Sequence, residues 1–153
     1  MKFEFSAGTF DRISADVIVV FALQREEKKR PTFLPLKSFQ EIDLLLNGQL
    51  SSICSSEGFT GKRKEMVTVY PQKKIAATKI IVVGLGKKDD FVVNDLRRSM
   101  GALAQKLHYG VDSLVLSFPD EDMLGMNVSE QVHITIEGLL LGTYEFGKYK
   151  KQE

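Results

Sequence analysis

The glycine pair Gly84 and Gly86 is the most distinctive feature of this sequence that could carry chemistry. It follows residues 80–83, a β-branched run typical of a strand that is buried on both faces. Glycines in that position begin a dinucleotide-binding fingerprint, in which backbone amides at a helix start receive a pyrophosphate. The third glycine of the fingerprint falls at position 89, where the sequence has Asp89, and Asp90 adds a second negative charge. We therefore interpret the glycines as a structural exit from the strand and not as a phosphate loop.

The two histidines, His108 and His133, are the next candidates, because imidazole is a common metal ligand. No HExxH pattern contains them, and Glu137, four residues after His133, is the one carboxylate at that spacing within the same predicted helix as a histidine. A single histidine–carboxylate pair is a weak basis for a zinc site, which needs three or four ligands. The sequence predicts that His108 lies at a helix end and that His133 faces away from the apolar side of its helix.

Acidic and thiol side chains complete the candidates for catalysis. Asp120, Glu121 and Asp122 fall in one loop, whereas paired catalytic carboxylates usually come from separate elements that face one cleft. Cys54 lies among apolar neighbours, which predicts a buried and unreactive thiol. We therefore predict no catalytic, cofactor-binding or metal-binding residue in this chain.

Composition and charge describe an ordinary globular domain. The chain has 153 residues, of which 43% are hydrophobic and 27% charged, and its net charge of +1 gives no support for nucleic-acid binding. The longest apolar run, residues 17–23, is too short to span a bilayer, and the first residues lack a secretory pattern. These features predict a soluble cytoplasmic protein. The basic residues available to a nucleic acid are Lys62, Arg63, Lys64, Lys73 and Lys74.

Strands alternate with helices along the chain. We predict strands at residues 2–5, 17–23, 66–70, 79–83 and 112–118. The segment between residues 24 and 36, with its mixed charges and two prolines, is predicted to be a loop. The resulting order of elements favours a single α/β domain, with a mixed central sheet between helices on both faces.

Four helices are predicted from apolar spacing and from capping residues. The first is capped by Ser38, with Glu41 three residues later, and ends at residues 47–48; a second, short helix ends near residue 58. The third is capped by Asn94 and the last by Asn127. The predicted buried face of the last helix consists of Val132, Ile136, Leu139, Leu140 and Thr143.

The end of the chain resembles a known family. Residues 137–150, EGLLLGTYEFGKYK, resemble the end of the N-terminal domain in the leucyl (cytosol) aminopeptidase family, which tends to show an acidic residue and a glycine, then apolar residues and spaced aromatics. Residues 79–107 resemble that domain's central strand and helix, and residues 15–20 resemble its early strand. The resemblance extends from about residue 15 to residue 150.

The resemblance implies a macro-domain-like accessory domain over residues 1–147, with residues 148–153 starting a linker to a catalytic domain that lies outside this chain. It implies a parent metalloaminopeptidase that removes N-terminal amino acids from peptides, uses two divalent metals (manganese or zinc) and forms hexamers. The domain itself is expected to lack activity and to contribute to assembly and to active-site access. Two alternatives stay open, a module that binds ADP-ribose or a nucleotide near Gly84 and Gly86, and a nucleic-acid-binding accessory domain. The aromatic residues Tyr144, Phe146 and Tyr149 are expected either to be partly exposed at the exit of the chain or to pack on the domain.

Overall fold

The structure of the chain, a computed structural model, describes residues 10, 12–107, 111–118 and 124–150, with side chains described up to residue 143. Five strands and four helices lie in these ranges: β1 Ala15–Glu27, β2 Arg30–Pro35, α1 Lys37–Leu45, α2 Gln49–Ser56, β3 Met66–Val69, β4 Ala77–Lys87, α3 Val93–Lys106, β5 Leu114–Leu116 and α4 Val128–Lys150. The predicted strand at residues 2–5 lies outside the described residues.

The sheet is mixed and is built around β1. Strand β4 runs parallel to β1 on one side, and β3 extends the sheet beyond β4 in the antiparallel sense. On the other side, the first half of β1 pairs with the parallel strand β5, and its second half pairs with the antiparallel strand β2. The runs predicted as buried strands at residues 17–23 and 79–83 are thus confirmed as the two central strands, which are covered on both faces.

Each face of the sheet has its own apolar core. Alternate residues of β1, such as Ile18 and Val20, pack with α1 and α2 on one face. The intervening residues, such as Val17 and Val19, pack with α3 and α4 on the other. This alternation follows from the two-residue period of a strand. The predicted fold class, three layers with helices on both faces of a mixed sheet, is confirmed.

The segment predicted as a loop between residues 24 and 36 is instead a β-hairpin, so that prediction is wrong. Strand β1 continues to Glu27 and pairs with β2, and the turn consists of Lys28 and Lys29 with φ of 52° and 62°. Two successive residues with positive φ match the twist of a two-residue hairpin turn, which usually contains Asn and Gly. The prolines are tolerated because β2 lies at an edge of the sheet.

Strand β4 does not end at the glycine pair, contrary to the prediction. It continues through Gly84 and Gly86 to Lys87, and its pairing with β1 shifts register opposite residues 22–24. The segment 61–65 approaches at that point: Gly84 N donates to Glu65 O at 2.8 Å, and Gly86 N donates to Gly61 O at 2.9 Å. The bonds to Gly84 continue the antiparallel pairing of β3 with β4 past Met66, so the backbone groups of β4 remain hydrogen-bonded beyond the end of β3.

Two of the three predicted helix caps are wrong. Helix α1 begins at Lys37, so Ser38 lies inside it and is buried, and Leu36 at the cap position makes no side-chain hydrogen bond. Helix α3 begins at Val93, and Asp95, not Asn94, serves its first turn by accepting a hydrogen bond from Val92 N at 2.9 Å. Both helices start earlier than predicted, so Leu36 and Val92 occupy the cap positions instead of Ser38 and Asn94.

The predicted cap of α4 is present in the structure, whereas β5 is shorter than predicted. Asn127 Oδ1 accepts from Glu130 N at 2.9 Å, while Asn127 Nδ2 donates to Glu130 Oε1 at 3.1 Å, so the predicted cap is confirmed. Strand β5 has three residues, fewer than the seven predicted. Asp16 holds its start, since Asp16 Oδ2 accepts from the backbone N atoms of Asp112 and Ser113 at 2.6 and 3.0 Å.

The buried face of α4 differs from the prediction. Leu139 is buried, but Leu140 and Thr143 are exposed, and the buried residues are Gln131, Ile134, Thr135, Gly138, Leu139 and Gly142. The physical reason is the contact with α3, which glycines make possible. A Cβ at Gly138 would lie 2.5 Å from Arg97 O, and a Cβ at Gly142 would lie against Gly101 O and 2.8 Å from Ala104 Cβ. The helix therefore turns its glycines, and not its leucine run, toward α3.

Candidate functional site

The space beside the glycine pair is filled by the protein itself. A Cβ at Gly84 would meet the backbone of Gly61 and Lys62, and one at Gly86 would lie 2.7 Å from Arg63 Cγ. Gly86 also has a φ of 84°, which L-residues rarely adopt. Gly84 is thus required by the close approach of the backbone at Gly61 and Lys62, and Gly86 by its positive φ. Both requirements agree with the interpretation of the glycines as structural residues and not as a phosphate loop.

Arg63 ties this crossing segment to the start of α3. Its Nη2 donates to Asp90 O at 2.9 Å, and its Nε lies 3.5 Å from Asp95 Oδ2. Asp95 is buried, and its carboxylate also accepts from Val92 N. Asp89 and Asp90 lie in the exposed 3-10 turn Lys88–Asp90 that follows β4. A cationic side chain therefore occupies the position beside the glycines that an anionic ligand would need.

Of the two histidine candidates, the structure describes His133, which forms a surface pair with Glu137. His133 is exposed, as predicted, and its Nε2 lies 2.9 Å from Glu137 Oε1. Glu137 Oε2 also accepts from Arg97 Nε at 3.0 Å, which connects α4 to α3. His108 lies outside the described residues, as does the acidic group Asp120, Glu121 and Asp122. Among the described residues, no three His, Cys, Asp or Glu side chains form a group that could hold a metal ion.

Cys54 lies fully buried in the core between the sheet and the first helical layer, as predicted. Burial raises the pKa of its thiol to about 12, and the nearby carboxylates of Glu57, Asp43 and Glu65 act in the same direction. The thiolate is the nucleophilic form of cysteine, so this side chain is inert near neutral pH.

The outer side of the α3–α4 layer is the surface that the sequence did not predict. The two helices run in the same direction, because Gly138 lies against Arg97 and Gly142 against Gly101. Between them lies a shallow groove of about 260 Å³ whose floor is this glycine contact. Its rim carries Lys64, Arg97, Arg98, Gln105 and Leu141.

Apolar and cationic groups occur together on this surface. Leu140 and Leu141 are 46% and 53% exposed. Arg97 is bound to Glu137 and to Asn94 Oδ1, whereas the exposed side chains of Lys64 and Arg98 make no ion pair in the part of the chain that the structure describes. We call the group of Lys64, Arg98, Leu140 and Leu141 the seam surface.

A second hollow of about 290 Å³ lies at the start of the same two helices. Val93, Ser129, Glu130, His133 and Ile134 line it. Val92, Val93 and Val128 are exposed at this end. Exposed apolar residues therefore occur in two groups on this layer, the valines at the helix starts and the leucines of α4, and Glu137 with its partners Arg97 and His133 comes between them along the helices. Exposed apolar groups of this kind occur at interaction surfaces.

The remaining candidates are distributed over the surface. Lys62, Arg63 and Lys64 lie in the segment before β3, and Lys73 and Lys74 lie in the turn between β3 and β4, all exposed. Arg63 is already engaged by Asp90 and Asp95, so the group offers fewer free cations than its sequence indicates. Within the described residues, no helix is both long enough and apolar enough to cross a bilayer.

A sequence feature that could have revealed the seam surface is the spacing of small residues. Gly138 and Gly142 are four residues apart, and so are the α3 residues Arg97 and Gly101 that they contact. Small residues at this spacing allow two helix backbones to approach closely. The leucine run at residues 139–141 masked this pattern, because apolar spacing alone assigned the leucines to the core.

Comparisons with known proteins identify the family. The family model described as "Cytosol aminopeptidase family, N-terminal domain" matches residues 17–153. A probable cytosol aminopeptidase from Geobacter sp. (strain M21) is 31% identical over 115 residues, which cover 75% of this chain and 23% of that protein. A second, from Alkaliphilus oremlandii (strain OhILAs), is 29% identical over 154 residues, which cover 98% of this chain and 29% of that protein. The chain spans between a fifth and a third of the length of these relatives.

Solved structures show the same fold. The macrodomain of Mycobacterium tuberculosis DarG superimposes with a TM-score of 0.64 at 8% identity, over 89% of this chain and 88% of that one. The bottromycin maturation enzyme BotP, in a structure with Mn, gives a TM-score of 0.59 at 16% identity, over 86% of this chain and 23% of BotP. The architecture is therefore macro-domain-like. Together with the family match over most of its length, this shows that the chain belongs to the cytosol aminopeptidase family and represents that family's N-terminal domain.

Proposed function

We propose that this chain is the non-catalytic N-terminal domain of a metal-dependent leucyl aminopeptidase, and that it contributes to assembly of the parent and to access around its active site. The observation that carries the proposal is the unequal coverage of the alignment, in which 98% of this chain matches only 29% of a probable cytosol aminopeptidase. A domain of this kind supports an activity that resides in the rest of the polypeptide.

The parent would remove N-terminal amino acids from peptides. In its catalytic domain, two divalent metal ions, manganese or zinc, would activate the attacking water. We place the accessory domain at residues 1–147 and the start of the linker at residues 148–153. Helix α4 spans Val128–Lys150, so this boundary falls within a continuous helix. A helical start to the linker would fix the direction in which the polypeptide leaves the domain.

The role in assembly is supported by the outer side of the α3–α4 layer. Leu141 is exposed beside Lys64 and Arg98, which form no ion pair among the described residues, and exposed apolar side chains of this kind occur at surfaces that contact another protein. The parent is expected to form hexamers in the cytoplasm, without a membrane partner. Sedimentation of the full-length polypeptide tests this, and a full-length protein that stays monomeric at micromolar concentration would contradict the role in assembly.

An activity assay tests the division of labour between the domains. The 153-residue chain should not hydrolyse leucine p-nitroanilide in the presence of manganese or zinc, whereas the full-length polypeptide should. The matched control is the full-length polypeptide treated with a chelator, which should lose its turnover. Metal-dependent turnover that co-purifies with the 153-residue chain through several columns would overturn the assignment of this domain as non-catalytic.

A further inference from the structure

The seam surface carries side chains that nothing in the described part of the chain covers. Leu141 is 53% exposed and lines the groove together with Arg98 and Lys64, which have no carboxylate partner among the described residues; Leu140, the preceding residue on α4, is 46% exposed. The groove is open because the glycine contact between the helices lacks side chains that would fill it.

The leucines cannot all be covered by the sheet. Residues 139–141 are consecutive on a helix, so their side chains spread over about 200° of its circumference. Leu139 faces the sheet and is 5% exposed, which turns the following two leucines away from the sheet. Rotation of α4 to bury them is prevented by Gly138 and Gly142, because other faces of the helix carry side chains that do not fit against α3.

We infer that the seam surface is the place where this domain docks on the catalytic domain of the same polypeptide, an inference that rests on the proposed function. The relatives are more than three times as long as the matched segment, and the matched domain is the N-terminal one. Under the proposed function, the remainder of the parent would follow α4, the helix that carries both leucines.

The position of α4 favours the catalytic domain of the same polypeptide, and not a separate protein, as the partner that covers the seam surface. Gly142 contacts α3 near residues 101–104, whereas α3 ends at Lys106, so α4 extends beyond its neighbour by about one turn. A domain tethered to that end is held close to Leu140 and Leu141 at a high effective concentration, so a modest interface is sufficient. The docking face of the catalytic domain would present apolar side chains to the leucines and carboxylates to Lys64 and Arg98.

Thiol labelling measures whether the surface is covered. Leu141→Cys introduces a reactive thiol, and in the 153-residue chain the native Cys54 gives no background because it is buried. The matched control is Leu44→Cys on α1, in the opposite helical layer, where the native side chain is 81% exposed. Both variants should react rapidly with a maleimide in the 153-residue chain. In the full-length polypeptide, labelling of Leu141→Cys should slow by about tenfold or more, since it would require transient opening, while labelling of Leu44→Cys should not change.

A charge reversal tests the contribution of the cations. Combined with Leu141→Cys in the full-length polypeptide, Arg98→Glu should restore faster labelling, because it would face the proposed carboxylates. Lys37→Glu, on an exposed position of α1, is the control and should leave the labelling rate unchanged. No effect of Arg98→Glu would refute the proposed charge complementarity.

The outcomes separate this inference from the proposed function. Equal labelling of Leu141→Cys in the 153-residue chain and in an active full-length aminopeptidase would overturn the docking surface and leave the proposed function intact. Protection that appears in the 153-residue chain as its concentration rises would show that a second copy is the occupant, which also overturns the inference. A full-length polypeptide without metal-dependent peptidase activity would overturn the proposed function and, with it, the docking surface.

Discussion

The glycine contact between α3 and α4 leads to opposite predictions for two identical substitutions. Gly138 and Gly101 lie in the same interface, each in the interior of its helix. A Cβ at Gly101 would lie 3.5 Å from Gly138 O, an ordinary contact, whereas a Cβ at Gly138 would lie 2.5 Å from Arg97 O and 2.7 Å from Met100 Cβ. We expect Gly101→Ala to stabilise the chain and Gly138→Ala to destabilise it.

The magnitudes follow from two competing effects. Replacing glycine by alanine inside a helix stabilises the folded state by roughly 0.5–1 kcal/mol, because the unfolded chain loses conformational freedom. Gly101→Ala should show this gain in full. Overpacking costs about 1–3 kcal/mol, and the obstacle at Gly138 is rigid helix backbone, so we expect Gly138→Ala to be destabilising by about 1–2 kcal/mol net. The free energies of unfolding of the two variants should then differ by about 1.5–3 kcal/mol.

Urea denaturation followed by circular dichroism at 222 nm measures this difference. With an unchanged m-value, the midpoint should rise for Gly101→Ala and fall for Gly138→Ala relative to the parent sequence. In thermal unfolding, each kcal/mol should shift Tm by about 2–4 °C for a chain of this size. If Gly138→Ala were as stable as Gly101→Ala, the close approach of α4 to α3 would be refuted, and with it the argument that the glycines turn the leucines outward.

Two further predictions concern the buried thiol and the glycine pair. Because the folded-state pKa of Cys54 is about 12 and the unfolded value is 9.0, the unfolded state loses its proton first; stability should therefore be unaffected below pH 9 and fall above it, by up to about 1.4 kcal/mol per pH unit. Urea midpoints from pH 8 to 10.5 should show this extra slope relative to Cys54→Ala, and parallel slopes would contradict the raised pKa. Calorimetric titration with ADP-ribose should give no saturable binding, since Lys62 backbone and the Arg63 side chain fill the space beside Gly84 and Gly86; micromolar binding would revive the hypothesis of a nucleotide-binding module.

Features that depend on neighbouring residues were predictable from the sequence. The β-branched runs in β1 and β4 indicated central strands, because a strand covered on both faces must be apolar at every position. The cap at Asn127 was equally clear, since its two hydrogen bonds join residues only three apart. The resemblance in residues 79–107 and 137–150 predicted the family that the comparisons then showed.

Features that depend on distant residues were not predictable in this way. The passage of β4 through Gly84 and Gly86 is decided by the segment around Gly61, which lies more than twenty residues earlier in the chain. The hairpin turn at Lys28 and Lys29 uses positive φ in residues that rarely adopt it, so its sequence looks like a charged loop.

The orientation of α4 shows most clearly the difference between what the sequence determined and what the tertiary structure decided. By itself, the sequence determined that an amphipathic helix begins after a cap at Asn127 and extends at least to Thr143, because spacing and capping act within a few residues. Only the tertiary structure decided which side of that helix is buried. Gly138 and Gly142 fit against the backbone of α3, where larger side chains do not, and steric exclusion between two helices overrides the apolar preference of Leu140 and Leu141.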